Sequence, residues 1–229
     1  MKQRHLHIIA VLMVLLLPAF TSAQNTIKRR GAIDSEKSGI GGENISYTTC
    51  PDDNHPHLID LCLPSGTKWA CCNVKSDKPE SYGGYYRWGE TEERSYYNIT
   101  GGNLPSDTDI SGTEYDVAHV KWGGSWCMPT VDQCMELMFY TSNTWTTLNG
   151  VNGRLFTGPN GGSIFLPAGG SKSERYLDNC GKSGSYNSSS ITLQYSNVRG
   201  LSFNSNDIAI WNSGWPPTGK NVRPVVSYN

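Results

Sequence analysis

Residues able to do chemistry gather at three places in the chain. The segment KWGGSWCMPT, Lys121 to Thr130, sets two tryptophans around a glycine pair and reaches Cys127, with His119 just upstream. A thiol becomes a nucleophile when its pKa is depressed and a base lies within hydrogen-bond reach, so Cys127 with His119 is the candidate pair for cysteine-dependent catalysis. The segment DDNHPH, Asp52 to His57, collects carboxylates and imidazoles that could hold a metal ion. Pro56 and the lack of a regular scaffold leave those ligands unorganised, which favours a solvated loop. From Ser183 to Trp215 most residues are Ser, Asn, Gly or Tyr. Adaptable binding loops use this mixture, in which rigid amphipathic rings stand beside small hydrogen-bonding neighbours. Ligand contacts are expected from Tyr186, Asn187, Tyr195, Trp211, Asn212 and Trp215, with plain polar surface as the alternative for the same stretch.

The compartment decides what the cysteines can do. Lys2 and Arg4 precede an apolar run from about Ile8 to Phe20, followed by Thr21-Ser22-Ala23-Gln24. That is the order of a secretory signal peptide, with cleavage expected after Ala23, and the run is short against the roughly 20 residues of a membrane span. Cys50, Cys62, Cys71, Cys72, Cys127, Cys134 and Cys180 all follow it, in a part of the chain where an oxidising compartment permits disulfides. An odd count leaves at least one thiol free. Cys127 and Cys134 are expected in disulfides, with each other or with Cys62, Cys72 or Cys180. Seven positions along a helix separate two residues by about 10 Å, which favours separate partners. No CxxC occurs, and neighbours such as Cys71 and Cys72 point to opposite faces of a strand, so no zinc site, and no metal or cofactor, is expected. Loss of Lys2 and Arg4 leaves a slightly acidic chain, without the clustered positive surface that nucleic acid requires.

The elements that must position these residues are mostly strands. Gln24 to about Thr49 is polar, without a hydrophobic period, and reads as a linker or loose tail continuing to Pro56; the folded unit is placed at 57–229. Leu58, Ile59, Leu61 and Leu63 precede a Pro-Ser-Gly turn, after which Lys68 to Val74 resumes strand character. Ser95 to Tyr115 is loop. Leu155–Thr157 and Ser163–Leu166 flank Gly-Pro-Asn-Gly-Gly as a hairpin. Apolar pairs between Ser183 and Trp215, together with the terminal NVRPVVSY, are expected in one mixed or antiparallel sheet. Helical spacing is convincing only from Val131 to about Tyr140, where Val131, Cys134, Met135 and Met138 share a face and Thr130 with Gln133 forms a capping box.

Five blocks carry a resemblance: DLCLPSGTKWACCNV, YGGYYRWGET, WGGSWCMPTVDQCMEL, NGVNGRLFTGPNGGSIFLPAGG and VRPV. In that order they resemble the Fibrobacter succinogenes major paralogous domain, abundant in exported proteins of Bacteroidetes, over about Leu58 to Val226. The resemblance implies an α+β, C-type lectin-like fold, strand-dominated with few helices and long loops. It also implies a structural signature at Trp69, Trp88, Gly89, Glu90, Trp122, Gly123, Gly124, Trp126, Pro129, Thr130, Arg223 and Pro224, with Tyr82, Tyr85 and Tyr86 in the core. Cys127 stands where the family commonly has Arg, Cys134 where it has an aromatic residue, and Tyr186-Asn187-Ser188-Ser189 where it has an aromatic-Trp-Ser-Ser run. GGSWC is similar to a segment of formylglycine-generating enzymes, whose paired active-site cysteines find no counterpart here. Trp211-Asn212-Ser213 echoes the Trp-Asn-Asp signature of true C-type lectins, but Ser213 replaces the calcium-binding carboxylate. A shared fold does not give function. The expectation is an exported or cell-surface module, not an enzyme, that recognises a glycan or protein. A structural component of the envelope is the second reading, and a cysteine-dependent enzyme of formylglycine-generating type the third.

Overall fold

The computed structural model describes residues 57–97, 105, 107–192, 197–213 and 218–227. The expected leader and tail, most of DDNHPH, and the candidates Tyr195 and Trp215 lie outside them. Among the described residues the architecture is α+β and strand-dominated, with eleven strands and two helices. The strands are divided among four small antiparallel sheets rather than gathered into one.

The first sheet joins β1 (Leu58–Asp60) to β2 (Lys68–Ala70), and β2 to the last strand, β11 (Val225–Val226). Two helices follow: α1 (Val117–Trp122) and α2 (Val131–Phe139). A second sheet runs β3 (Ser142–Leu148), β4 (Val151–Thr157), β5 (Ser163–Pro167). The expected hairpin is its β4–β5 half, with Leu155 opposite Phe165. A two-stranded ribbon pairs β6 (Ser171–Ser173) with β7 (Tyr176–Asp178), and the final three-stranded sheet runs β8 (Ser183–Thr192), β9 (Asn197–Asn204), β10 (Ile208–Ser213).

Helix α2 starts where its sequence dictates. The Thr130 hydroxyl accepts the Gln133 N–H at 3.2 Å and the Gln133 carboxamide oxygen accepts the Thr130 N–H at 2.8 Å, so two of the free N–H groups of the first turn are satisfied reciprocally. Its buried residues are Val131, Cys134 and Leu137; Leu137 reaches the core and Met138 does not. Helix α1 is too short for a periodic signal. It exists because the Asp116 carboxylate caps it, accepting the N–H groups of Ala118 and His119. Gly123, with φ 69°, ends it and donates its N–H to His119 O, a left-handed position that favours glycine.

The signature tryptophans are core. Trp69, Trp88 and Trp126 are almost fully buried, and Trp122 meets Trp126 edge to face with ring centres 5.0 Å apart. Three apolar clusters divide the interior. The largest joins Leu61, Leu63 and Trp69 to Leu137, Phe156, Leu201 and Phe203. A second centres on Val74, Tyr86, Trp88 and Met128, and a third on Ala70, Trp122, Trp126 and Val226. Arg223 lies among them with about 1% of its surface exposed. Its guanidinium donates to Asn73 Oδ1, Ala70 O, Cys71 O and Phe165 O at 2.8 to 3.0 Å, holding β2 against β5.

Candidate ligand groove on the carboxy-terminal sheet

Residues opposed across antiparallel strands share a face, so the register of β8, β9 and β10 sorts their side chains. One face carries Tyr186, Leu201, Phe203, Ile208 and Ile210 into the largest core cluster, under α2, which packs against all three strands. The other face is polar over half its length. There Ser183 pairs with Asn204, Ser185 with Ser202, and Ser202 with Ala209. These residues floor a groove of about 300 Å³, bordered by Ser171 and Asn179 on one side and Asp207 on the other. That volume is at the lower end of the roughly 300–1,000 Å³ of small-molecule sites.

The groove offers neutral hydrogen-bonding groups on a fixed scaffold. The hydroxyls of Ser171, Ser183 and Ser185 make no hydrogen bond among the described residues, and each can donate one and accept two. Ser202 donates only a long 3.4 Å bond to Ala209 O. The Asn204 carboxamide oxygen accepts the N–H groups of Asn206 and Asp207 at 2.7 and 3.0 Å, which fixes the β9–β10 turn at the groove's end. No group of His, Cys, Asp and Glu among the described residues could hold a metal ion.

Tyr186 and Asn187 are not surface residues, which corrects their reading as ligand contacts. Tyr186 is 2% exposed, donates to Pro167 O at 2.8 Å, accepts from Asn73 Nδ2 at 3.2 Å and stacks on Phe203. Asn187 is 1% exposed and donates to Tyr86 O at 2.9 Å. Both faces of β8 are covered at this level: Tyr186, Asn187 and Ser188 each donate to a backbone carbonyl, while Asn187 Oδ1 and Ser189 Oγ are buried without a partner among the described residues, so no apolar period announces the burial.

Trp211 is half-buried and its ring is already occupied. It lies over Gly200, where a Cβ would come within 2.6 Å of the indole, and the Lys220 ammonium sits 4.4 Å above the ring centre. Asn212 is exposed on β10. Of the expected residues that the structure describes, Tyr186, Asn187, Trp211 and Asn212, none lines the groove; its floor comes from serines of the same strands. The signal that could have found it is the alternation Ser183/Ser185 and Ser202/Asn204 within strands.

Lys220 is itself buried, donating to Thr218 Oγ1 at 2.8 Å. Burial lowers its ammonium from 10.5 to about 8. Between those values the unfolded chain binds more protons than the folded one, so this group's contribution to stability rises with pH across that window. Lys220→Met is expected to raise the unfolding free energy by about 2–3 kcal/mol at pH 7, and the gain to shrink toward zero by about pH 10.5. Urea unfolding of both proteins at the two pH values checks this.

The cysteines also depart from expectation. Cys62, Cys127, Cys134 and Cys180 are free thiols, so the expected disulfides of Cys127 and Cys134 are absent. Cys134 points from α2 into the core, whereas Cys127 lies on the segment paired with Val225 and faces Val225 O at 3.7 Å. Burial pushes the Cys127 thiol up to about 11, the reverse of an activated nucleophile. The His119 ring nitrogen lies 3.3 Å from Trp126 O, and no hydrogen bond joins it to Cys127 among the described residues.

Compared with known protein families, curated proteins and solved structures, the chain finds no match in any of the three.

Proposed function

We propose that this protein is an exported carbohydrate-binding module with a C-type lectin-like fold, of the Fibrobacter succinogenes major paralogous domain type, and that it takes a neutral sugar in the β8–β9–β10 groove. One observation carries the reading: the groove presents uncommitted serine hydroxyls, with Ala209 the one aliphatic side chain among its described lining residues, beside a turn fixed by Asn204. Such a surface matches a polyol, whose hydroxyls both donate and accept. Binding here needs no metal, in keeping with Ser213 at the calcium-carboxylate position of the lectin signature. The raised thiol of Cys127 gives the enzyme reading little support. The signal-like order of Lys2, Arg4 and the apolar run from Ile8 to Phe20 supports export, and no helix among the described residues is long and apolar enough to cross a membrane.

The test is retention on a glycan array by wild type and by Ser185→Leu, which fills the groove from a half-exposed position. Wild type is expected to bind saturably, Ser185→Leu at least tenfold more weakly with an unchanged unfolding midpoint, and Asn212→Ala as wild type. Retention on proteins alone, or equal binding by Ser185→Leu, overturns the assignment. Co-purification with envelope material without any ligand favours the structural reading.

A further inference from the structure

A second cavity, of about 510 Å³, shares no lining residue with the groove. Its walls include Val74, Tyr86 and Trp122, which are buried in the second and third apolar clusters. Its rim carries two ion pairs, Lys75 with Glu93 and Lys121 with Glu92. Glu93 is held in place by the Tyr85 N–H, which donates to Oε1 at 3.0 Å. Lys75 is fixed in the left-handed region, with φ 62°, a conformation that costs a non-glycine residue on the order of 1–3 kcal/mol. Tyr86 is 2% exposed, yet its hydroxyl makes no hydrogen bond among the described residues.

We propose that this cleft binds a small zwitterion carrying an apolar group, the chemistry of a free aliphatic or aromatic α-amino acid. Two cations and two anions cancel at the rim, so a ligand of single net charge gains no field there. A ligand bearing both charges finds an opposite partner for each. A lysine ammonium has three donors and a carboxylate about four acceptor positions, so each ion pair keeps capacity for a ligand group while staying formed. The ligand carboxylate would share Lys75 or Lys121, its ammonium Glu92 or Glu93, and its side chain would cover Val74 and the two rings. The Tyr86 hydroxyl supplies a further donor to the carboxylate.

Titration calorimetry with L-leucine and L-phenylalanine, beside N-acetyl-L-phenylalanine and L-phenylalanine methyl ester, tests this. At least one free amino acid is expected to saturate the protein, and each blocked derivative to bind at least tenfold more weakly. Lys121→Met and Glu93→Gln should each weaken the free amino acid at least fivefold; Gln retains the acceptor for Tyr85 N–H, and Lys121 is a rim residue whose loss spares the core. Absence of saturation by either amino acid up to about 10 mM, or equal binding of the blocked forms, overturns the proposal. Neither outcome bears on the sugar groove.

Discussion

Arg223→Met is expected to lower the free energy of unfolding by about 4–5 kcal/mol, and Arg223→Lys by roughly half as much. The methionine fills most of the volume, so packing is not the main loss. What remains behind is Asn73 Oδ1 with the carbonyls of Ala70, Cys71 and Phe165, all of which accept from the guanidinium in the native protein. A buried acceptor left without a donor costs about 1–3 kcal/mol, and four around one site are not fully additive. A lysine carries the charge but only a point ammonium, which cannot span acceptors on both β2 and β5. Since whole domains are stable by about 5–15 kcal/mol, the methionine variant should be largely lost from the soluble fraction at elevated temperature. Urea unfolding followed by circular dichroism measures both variants. A loss below about 1 kcal/mol for Arg223→Met would mean that the β2–β5 clamp is not what holds those sheets together.

Asp116→Ala is the second large effect, expected at about 3–5 kcal/mol. Asp116 is fully buried. Oδ1 accepts from Ala118 N at 2.8 Å and His119 N at 3.1 Å, and Oδ2 from Gly112 N and Met128 N, each at 2.8 Å. Burial raises the carboxyl above its ordinary value while the four N–H donors oppose that rise. The side chain thus ties the turn before α1 to the strand-like segment that leads into α2, across KWGGSWCMPT. Alanine strands four N–H groups. The Asp116→Asn carboxamide retains one oxygen and turns an NH2 toward the other two donors, so the loss in that variant should fall between wild type and Asp116→Ala. An Asp116→Asn protein as stable as wild type would show that one pair of these bonds contributes nothing. Urea unfolding of the two variants beside wild type measures the series.

How much of this was legible in the sequence depends on how local the cause is. The start of α2 was readable because Thr130 and Gln133 satisfy each other within one turn, and the β4–β5 hairpin because its glycine-rich loop lies between two β-prone runs. The burial of Trp88, Trp122 and Trp126 also matched the reading of those rings as packing residues. The division into four sheets was not legible, since β2 pairs with β11, the far end of the chain, and nothing local encodes that. The polar segment of β8 misled for a related reason. Tyr186 and Asn187 are buried with partners drawn from Asn73, Tyr86 and Pro167, and polarity that is satisfied at a distance looks like surface when read locally. Cys127 and Cys134 are both free thiols although both pack on the largest core cluster, and sequence spacing alone does not show which thiols meet.

The groove's floor residues lie between Ser183 and Trp215, but the rings drew the expectation away from the serines. In the folded protein Trp211 is occupied by Gly200 and Lys220, while the alternating serine and asparagine face lines the groove.

The most direct test of that face is an amide chemical-shift titration of the ¹⁵N-labelled protein with the methyl glycosides of glucose, galactose, mannose and N-acetylglucosamine. The account predicts saturable shifts, for at least one of them, confined to Ser183–Ser185, Ser202–Asn204 and Ala209. Saturable shifts centred elsewhere, or none with any of the four, would contradict it.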